Sequence, residues 1–358
     1  MALSPNFGFP EPDNSSLVKN GAQDIRALGD SIDTFLNGSP TRSAGKNKVI
    51  NGDFGIWQRG TSFNTADVYT ADRWVMSLSG ATATTSRQSF TVGQSDVPNN
   101  PTYFLRYAAS IGDNNARIMY RGEDVTTFAN TATTVSFYAK GTNPAGGSLA
   151  LLLTQYFGAA GSAAVDTTIG SITLTASWQR FTFTFTPPSV SGKTITTGNY
   201  FALDFRQPTG DTGTAAWTLD LANVQWEYGS KATPFQTATG TIQGELAACQ
   251  RYYVRYGGDT AYTPVANGGN ISTTAASVNV AVPVQMRVVP TAVDFSTMAV
   301  WVYGGSIVAA TNITIAGESG NKNVRLNVTT GSGLTATQPV SLTTNNSTSG
   351  YVGLSAEL

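Results

Sequence analysis

The sequence predicts an all-β fold with one short helix near the N-terminus. From Val49 onward, apolar residues recur at every second position in several stretches, which is typical of strands with one buried face. Clusters of Gly, Asn and Asp separate these stretches and leave little room for helices. Short strands joined by such turns indicate a β-sandwich or jelly roll, with a second β-sandwich towards the C-terminus.

Residues 1–45 differ from the rest of the chain. Prolines predict an extended start, and a helical pattern then follows to about Leu36. Apolar residues along this helix are three or four positions apart, as at the a and d positions of a coiled coil. The stripe consists of Val18, Gly21, Ile25, Leu28, Ile32 and Phe35.

A lone helix of this length is marginally stable in water, so its apolar stripe needs a partner. Self-association or docking on another protein would supply one, and packing on the chain's own domain is the alternative. We therefore predict that this helix serves oligomerisation or attachment. Residues 37–48, rich in Gly, Ser and Lys, are predicted to form a linker.

Residues 46–240 are predicted to form the first β domain. Thr134–Lys140 and Trp178–Thr186 each place alternate apolar residues on one face. Trp217–Trp226 also alternates but changes phase before Val224, as a β-bulge does.

Residues 241–358 are predicted to form the second β domain. Gly244–Gln250 has the pattern of a short helical turn, and Arg251–Tyr256 that of a strand. Alternate valines predict another strand over Val278–Val284. Pro283 within it indicates an edge or bulged strand.

The composition argues against several classes of partner. Lys and Arg total 21 against 22 Asp and Glu, and no stretch is strongly basic. Binding to nucleic acid or to an anionic membrane surface is therefore disfavoured. The sequence contains no run of apolar residues long enough to span a membrane and no secretory signal pattern. We expect synthesis in a cytoplasm and release by lysis as part of a particle.

Catalysis is not predicted. The sequence has no histidine, which excludes His-based triads and imidazole acid-base chemistry, and it has no phosphate-binding loop motif. Glycan cleavage needs only two carboxylates, which Asp204, Asp220 and Glu227 would have to supply. Asp204 and Asp220 alternate with apolar residues, so we expect them to be solvent-exposed strand positions.

Several short motifs follow one another along the chain. They are NGDFGIWQRG from Asn51, ADRW from Ala71, VSFYAKG from Val135, VQWEYGSKATPFQ from Val224 and ELAACQRYY from Glu245. Over roughly residues 49–256 they resemble the carbohydrate-binding-module-like jelly roll of bacteriophage tail proteins. The segment from Met1 to Asp30 also resembles the virion-attachment start of phage structural proteins.

The resemblance implies a jelly roll, a role in a phage tail fibre or tail tip, and often a homotrimer. We therefore predict a non-enzymatic virion protein that adheres to host-surface glycans and attaches to other tail proteins by its N-terminus. Related jelly rolls often hold a structural calcium near the first and last strands, which implies Asp53 and Asp220 as ligands. The sequence lacks a dense carboxylate cluster to complete that site, and no other cofactor is predicted.

Candidate sugar contacts lie in the C-terminal domain, where aromatic residues occur near Gly-rich stretches. They are Tyr256, Tyr262, Trp301 and Tyr303. Each of them also suits a place in the core or at a subunit interface. Two alternative functions stay open: a capsid decoration or tail adaptor protein, and a glycan-degrading tailspike that uses the carboxylates named above.

Overall fold

The computed structural model describes residues 2–3, 9–11, 20–38, 45–111, 116–208 and 210–358. Within these ranges the chain is nearly all β, which confirms the predicted fold class. Among the described residues, neither helix has the length and apolar content that crossing a bilayer requires.

A two-stranded ribbon and one helix form the described part of the N-terminal segment. Strand β1 (Ala2–Leu3) pairs antiparallel with β2 (Pro10–Glu11), and helix α1 spans Gly21–Gly38. The predicted helix is thus confirmed, and it ends slightly later than the expected Leu36.

The apolar stripe of α1 is only partly covered within a single chain. Ile25 is 66% exposed and Ile32 is 38% exposed, whereas Leu28 is half-buried. Val18 and the side chain of Phe35 lie outside the described residues. Oligomerisation through this stripe stays a prediction.

The first β domain is a β-sandwich of two six-stranded antiparallel sheets. Its strands are β3 (Ser62–Phe63), β4 (Val68–Tyr69), β5 (Trp74–Ser77), β6 (Thr82–Ser89), β7 (Tyr103–Ile111), β8 (Arg117–Glu123), β9 (Thr133–Thr142), β10 (Leu149–Tyr156), β11 (Val165–Ile172), β12 (Gln179–Phe185), β13 (Tyr200–Arg206) and β14 (Trp217–Tyr228). The first sheet has the order β11-β10-β13-β8-β5-β4, and the second has the order β12-β9-β14-β7-β6-β3.

The core of the sandwich lies between these two sheets and is rich in aromatic residues. Trp74 from the first sheet and Trp217 and Trp226 from the second are buried in it. Alternation places Phe137 of β9 beside Phe181 of β12, with stacked rings 5.5 Å apart. Large aromatic side chains contribute most of the buried area in such a core.

The predicted bulge in β14 is confirmed. The register between β14 and β9 shifts between Ala222 and Gln225, so Asn223 and Val224 of β14 stand opposite the single residue Phe137 of β9. Asn223 has a φ of 50° at this point, a conformation that asparagine tolerates better than most residues. The bulge changes which side chains of β14 point to the core and which to the outer face.

The C-terminal part begins with a helix and continues as strands. Helix α2 spans Ile242–Gln250, and Thr241 caps its N-terminus by accepting a hydrogen bond from the Gly244 N–H. The strands are β15 (Tyr253–Gly257), β16 (Pro264–Asn270), β17 (Ala275–Ala281), β18 (Ala292–Ser296), β19 (Met298–Val302), β20 (Ile307–Ile315), β21 (Asn323–Thr330), β22 (Pro339–Thr344) and β23 (Tyr351–Ser355).

These strands form a closed barrel and a small sheet where the sequence suggested a second sandwich. The barrel has the order β16-β17-β21-β20-β19-β22, and it closes because β16 pairs with β22 as well as with β17. The other three strands form the sheet β15-β23-β18. Closure leaves the six barrel strands without a free edge.

The valine-rich strand is shorter than the sequence predicted. Val278 and Val280 point into the barrel core, but β17 ends at Ala281 and does not continue to Val284. Pro283 lies just beyond the strand because proline has no N–H to contribute to a ladder.

Ion pairs and hydrogen bonds join the sandwich to the C-terminal part. The Glu357 carboxylate pairs with Arg59 and Arg73 of the sandwich, and the Arg73 side chain is fully buried. The backbone oxygen of Leu358 accepts hydrogen bonds from the Tyr69 hydroxyl and from Arg121 Nη1, both at 2.9 Å. We call this region the junction.

Candidate functional site

Two aromatic side chains lie exposed side by side, one on the outer face of β19 and the other directly after that strand. Because Val300 and Val302 point into the barrel core, Trp301 and Tyr303 point outward. Trp301 is 41% exposed and Tyr303 is 48% exposed. Their ring centroids are 5.8 Å apart and the ring planes are tilted by 32°. Trp301 on β19 and Tyr303 just after it thus form a continuous aromatic surface.

Polar and apolar neighbours border this aromatic pair. Asn267 of β16, Ser341 of β22, Trp301 of β19 and Ile307 of β20 are aligned across four adjacent strands. The Tyr303 hydroxyl donates a long hydrogen bond of 3.4 Å to Asn267 Oδ1. We call Trp301, Tyr303, Ile307 and Asn267 the barrel patch.

The barrel patch has the chemistry of a surface for uncharged, hydroxyl-rich molecules. None of its four residues is an Asp, Glu, Lys or Arg. Aromatic faces pack against the C–H faces of sugar rings, and the Asn267 amide can both donate to and accept from hydroxyl groups. Asn267 and Ile307 could not be predicted as site residues from the sequence, because their position beside Trp301 depends on strand register. Within their own strands, only a weak alternation of residue types indicates that Asn267 and Ile307 point outward.

Tyr256 lies away from the barrel patch. It belongs to β15, packs against the barrel core and donates a hydrogen bond of 3.0 Å from its hydroxyl to the Ala281 carbonyl. Burial raises the pKa of Tyr256 to about 12. Tyr256 therefore contributes to packing against the barrel core and does not extend the exposed aromatic pair.

Tyr262 is exposed but lies at the other end of the barrel. Its N–H donates to the carbonyl of Thr344, the last residue of β22. The Tyr303 N–H donates to the carbonyl of Pro339, the first residue of the same strand. The two ends of β22 are roughly 17 Å apart at the usual rise of a strand. Of the four predicted aromatics, the structure brings Trp301 and Tyr303 together.

The three carboxylates considered for glycan cleavage are buried. Asp204 of β13 and Asp220 of β14 belong to different sheets of the sandwich, and Glu227 lies near the end of β14. The expectation that Asp204 and Asp220 are solvent-exposed was wrong, since each is almost fully buried. Both point away from the core, but arginine side chains cover them.

Each of these carboxylates is held by cationic or polar partners. Asp220 accepts two hydrogen bonds of 2.7 Å from Arg106, the bidentate geometry of a strong arginine–carboxylate pair. Asp204 lies 3.2 Å from Arg206, yet burial raises its pKa to about 6. The third, Glu227, lies 3.2 Å from Lys46. Separate partners of this kind are typical of structural ion pairs.

The two residues implied as calcium ligands have different environments. Asp53 Oδ1 accepts a long hydrogen bond of 3.4 Å from the Gly55 N–H, and burial raises the pKa of Asp53. Both carboxylate oxygens of Asp220 are bound by Arg106. Within the described ranges, no group of three or more His, Cys, Asp or Glu residues could hold a metal ion. The calcium site stays a prediction.

Comparison with known proteins gives no family assignment. No protein-family model matches the sequence, and no curated protein matches it in sequence.

Solved structures similar to about half of the chain include binding modules and an enzyme. The family 11 carbohydrate-binding module of a Clostridium thermocellum cellulosomal cellulase is 13% identical, with 48% of this chain and 96% of that chain covered and a TM-score of 0.31. The CBM22-1 xylan-binding domain of Paenibacillus barcinonensis Xyn10C is 13% identical, with 48% and 94% covered and a TM-score of 0.30. A Stig cyclase of Fischerella is 10% identical, with 52% and 98% covered and a TM-score of 0.31. Similarity this low assigns no function.

Proposed function

We propose that the protein is a non-catalytic glycan-adhesion protein of a bacteriophage tail fibre or tail tip. The barrel patch contacts the glycan, and the N-terminal segment attaches the chain to other tail proteins. The observation that carries the adhesive role is the exposed pair of Trp301 and Tyr303 on an uncharged surface. The sequence motifs of the sandwich and of the N-terminal segment support the phage assignment.

The exposed rings of Trp301 and Tyr303 would gain free energy if a partner covered them. Burial of apolar surface is worth about 25 cal/mol per Å², and monomeric proteins rarely leave contiguous apolar surface uncovered without a binding role. The exposed Ile307 beside Trp301 extends this surface. A sugar ring stacked on the patch would cover its apolar atoms and leave the hydroxyl groups free for Asn267.

Trimer formation through α1 would strengthen weak adhesion. Three chains would present three barrel patches, and simultaneous engagement raises the overall affinity without any new contact. The exposed Ile25 and Ile32 supply an apolar surface for this association.

A glycan-degrading role has less support than adhesion. Retaining or inverting cleavage requires two carboxyl groups on either side of one glycosidic bond, roughly 5 to 10 Å apart. Asp204 and Asp220 lie in different sheets and are bound by different arginines. Neither is therefore free to act as acid or nucleophile with the other.

The adhesive role is tested by substituting Trp301 and measuring glycan binding. We expect Trp301→Ala to weaken binding of the full-length chain to its glycans on an array by at least about tenfold, as for a central aromatic contact. Tyr262→Ala is the matched control, because it removes an exposed aromatic ring at the other end of the barrel. Equal binding by the Trp301→Ala chain and the unsubstituted chain would contradict the proposal.

The phage assignment is tested by locating the chain on virions. A tail fibre attached by its N-terminus should expose the barrel at the tip of the tail, where antibodies against the barrel would label it in electron micrographs. Labelling distributed over the capsid would instead identify a decoration protein and refute the fibre role.

A further inference from the structure

An open depression lies beside the barrel patch on the outer face of the barrel. Its volume is about 300 Å³, at the lower end of the usual range for small-molecule sites. Its lining includes Gly269 of β16, Ser277 and Asn279 of β17, and Arg325 of β21. Among the described residues that line it, Arg325 is the charged one. We call this feature the arginine depression.

Strand register connects the arginine depression to the barrel patch in one row. Trp301 of the patch pairs with Ser341, and Ser341 pairs with Asn267. Asn267 pairs in turn with Asn279, and Asn279 pairs with Arg325. Directly paired residues of antiparallel strands point to the same face, so the whole row lies on the outer face. Four strand spacings separate Trp301 from Arg325, which is roughly 19 Å along the barrel surface.

The guanidinium of Arg325 is directed back towards the barrel patch. Its Nε donates a hydrogen bond of 2.7 Å to Ser277 Oγ, and Ser277 belongs to β17, the strand between β21 and β16. The backbone of Arg325 is held by Ser319, whose hydroxyl accepts from the N–H and donates to the carbonyl, each at 3.0 Å. An arginine that is positioned in this way loses less entropy when it binds a ligand.

The charge of Arg325 is only weakly compensated within the chain. Its Nη1 lies 4.0 Å from Glu318 Oε2, and the side chains of Arg325 and Glu318 are 43% and 72% exposed. Exposed ion pairs of this kind contribute little. Arg106 differs, because its guanidinium is already bound bidentately by Asp220. The fork of Arg325 therefore remains suited to a carboxylate or phosphate group of a ligand.

We propose that the barrel patch binds an acidic oligosaccharide, whose anionic group lies in the arginine depression while a sugar ring of the same molecule stacks on Trp301 and Tyr303. This inference rests on the proposed adhesive function and adds the class of glycan. The amides of Asn267 and Asn279 lie between the two ends of the row and suit the hydroxyl groups of the intervening sugars. A neutral oligosaccharide would make the aromatic and amide contacts but would leave Arg325 without an anionic partner.

The test compares acidic saccharides with matched neutral forms, using the full-length chain and isothermal titration calorimetry at low salt. The pairs are tetragalacturonic acid and its methyl ester, a hyaluronan tetrasaccharide and its methyl ester, and mannotetraose 6-phosphate and mannotetraose. We expect at least one acidic form to bind about tenfold more tightly than its neutral form, as for a hydrogen bond to a charged group. The pair that shows the preference distinguishes a carboxylate ligand from a phosphate ligand.

Two substitutions of charged residues should change the preference in opposite directions. Arg325→Gln keeps a donor for Ser277 but removes the charge, so it should weaken the acidic form by about tenfold and leave the neutral form unchanged. Glu318→Gln removes the carboxylate that competes for Arg325, so it should strengthen the acidic form by up to about fivefold. Arg180→Gln is the matched control for Arg325→Gln, because Arg180 is an exposed arginine of β12 in the sandwich.

A third substitution tests the depression without changing any charge. A Cβ at Gly269 would meet no atom closer than the Gln338 carbonyl oxygen at 3.7 Å, its immediate chain neighbours aside. The strand therefore has room for Gly269→Val, and the added side chain would occupy part of the depression. We expect this variant to weaken the acidic form as well.

The outcomes separate this inference from the adhesive function on which it rests. Equal binding of acidic and neutral forms, or an acid preference that persists in Arg325→Gln, would overturn the inference. Loss of both forms in Trp301→Ala would still support adhesion by the barrel patch in that case. If Arg325→Gln removed the preference but Trp301→Ala changed neither form, the patch would not bind the glycan and the joint site would be rejected. Failure of all six saccharides to bind at millimolar concentration would reject the joint site too.

Discussion

Asp72 is a buried carboxyl group at the junction, and its titration should make stability depend on pH. Burial raises its pKa from 3.8 to about 6, although Arg59 lowers it. Between these values the folded state retains a proton that the unfolded state has lost. The stability that this group contributes is therefore complete below about pH 4 and is lost as the pH rises through 6, by about 3 kcal/mol.

Asp72→Asn should make the free energy of unfolding depend less on pH. The measurement is the free energy of unfolding in urea at pH 4 and at pH 7, compared between the variant and the unsubstituted chain. Asp204 has a similarly raised pKa. We therefore expect Asp72→Asn to reduce the change in unfolding free energy between the two pH values but not to abolish it. Asp259→Asn, at an exposed position, is the control and should leave the slope unchanged. An unaltered slope in Asp72→Asn would refute the role of this carboxyl group.

At the residue scale, sequence alternation predicts which way a side chain points but not whether it is exposed. Asp220 lies on the outer face as its alternation with Leu219 and Leu221 indicates, yet Arg106 of the neighbouring strand covers it. That contact depends on the register between β7 and β14. For the same reason, the sequence suggested Trp301 and Tyr303 as binding residues but could not pair them with Asn267.

At the element scale, α1 carries the clearest prediction about assembly. Ile25 is exposed on the helix, and a charge there would oppose burial in a helix–helix seam. We expect the unsubstituted chain to have a solution mass of about three times 37.5 kDa by light scattering. Ile25→Glu should shift it towards the monomer.

Gln23→Glu is the matched control for that variant. Gln23 is also exposed on α1 and lies outside the predicted stripe, so the added charge should leave the trimer intact. A monomeric unsubstituted chain, or a trimer that persists in Ile25→Glu, would show that α1 does not assemble the protein.

The elements that the sequence predicts best are those with a local signal. The helix α1 and the strands β9 and β12 follow from periodicity alone, and the β14 bulge follows from a change of phase. Barrel closure could not be predicted in this way. It depends on pairing between β16 and β22, which are far apart in the sequence, and the alternation of a barrel strand is the same as that of a sandwich strand.

At the scale of the whole molecule, the junction should couple the sandwich and the barrel. Glu357 is the shared partner of Arg59 and Arg73, and it is 7% exposed. Removing the charge of Glu357 would leave the buried Arg73 guanidinium without its counter-charge. Breaking a buried pair by removing one partner costs about 3 to 5 kcal/mol.

Glu357→Gln should therefore lower the free energy of unfolding by about this amount in urea melts, because glutamine keeps the shape but not the charge. Glu318→Gln is the control, since Glu318 is 72% exposed and lies 4.0 Å from Arg325, and exposed pairs of this kind contribute little. If the two variants unfolded at the same urea concentration, the junction would not be stabilised by its ion pairs. If Glu357→Gln separated one transition into two, the ion pairs would be what makes the sandwich and the barrel unfold together.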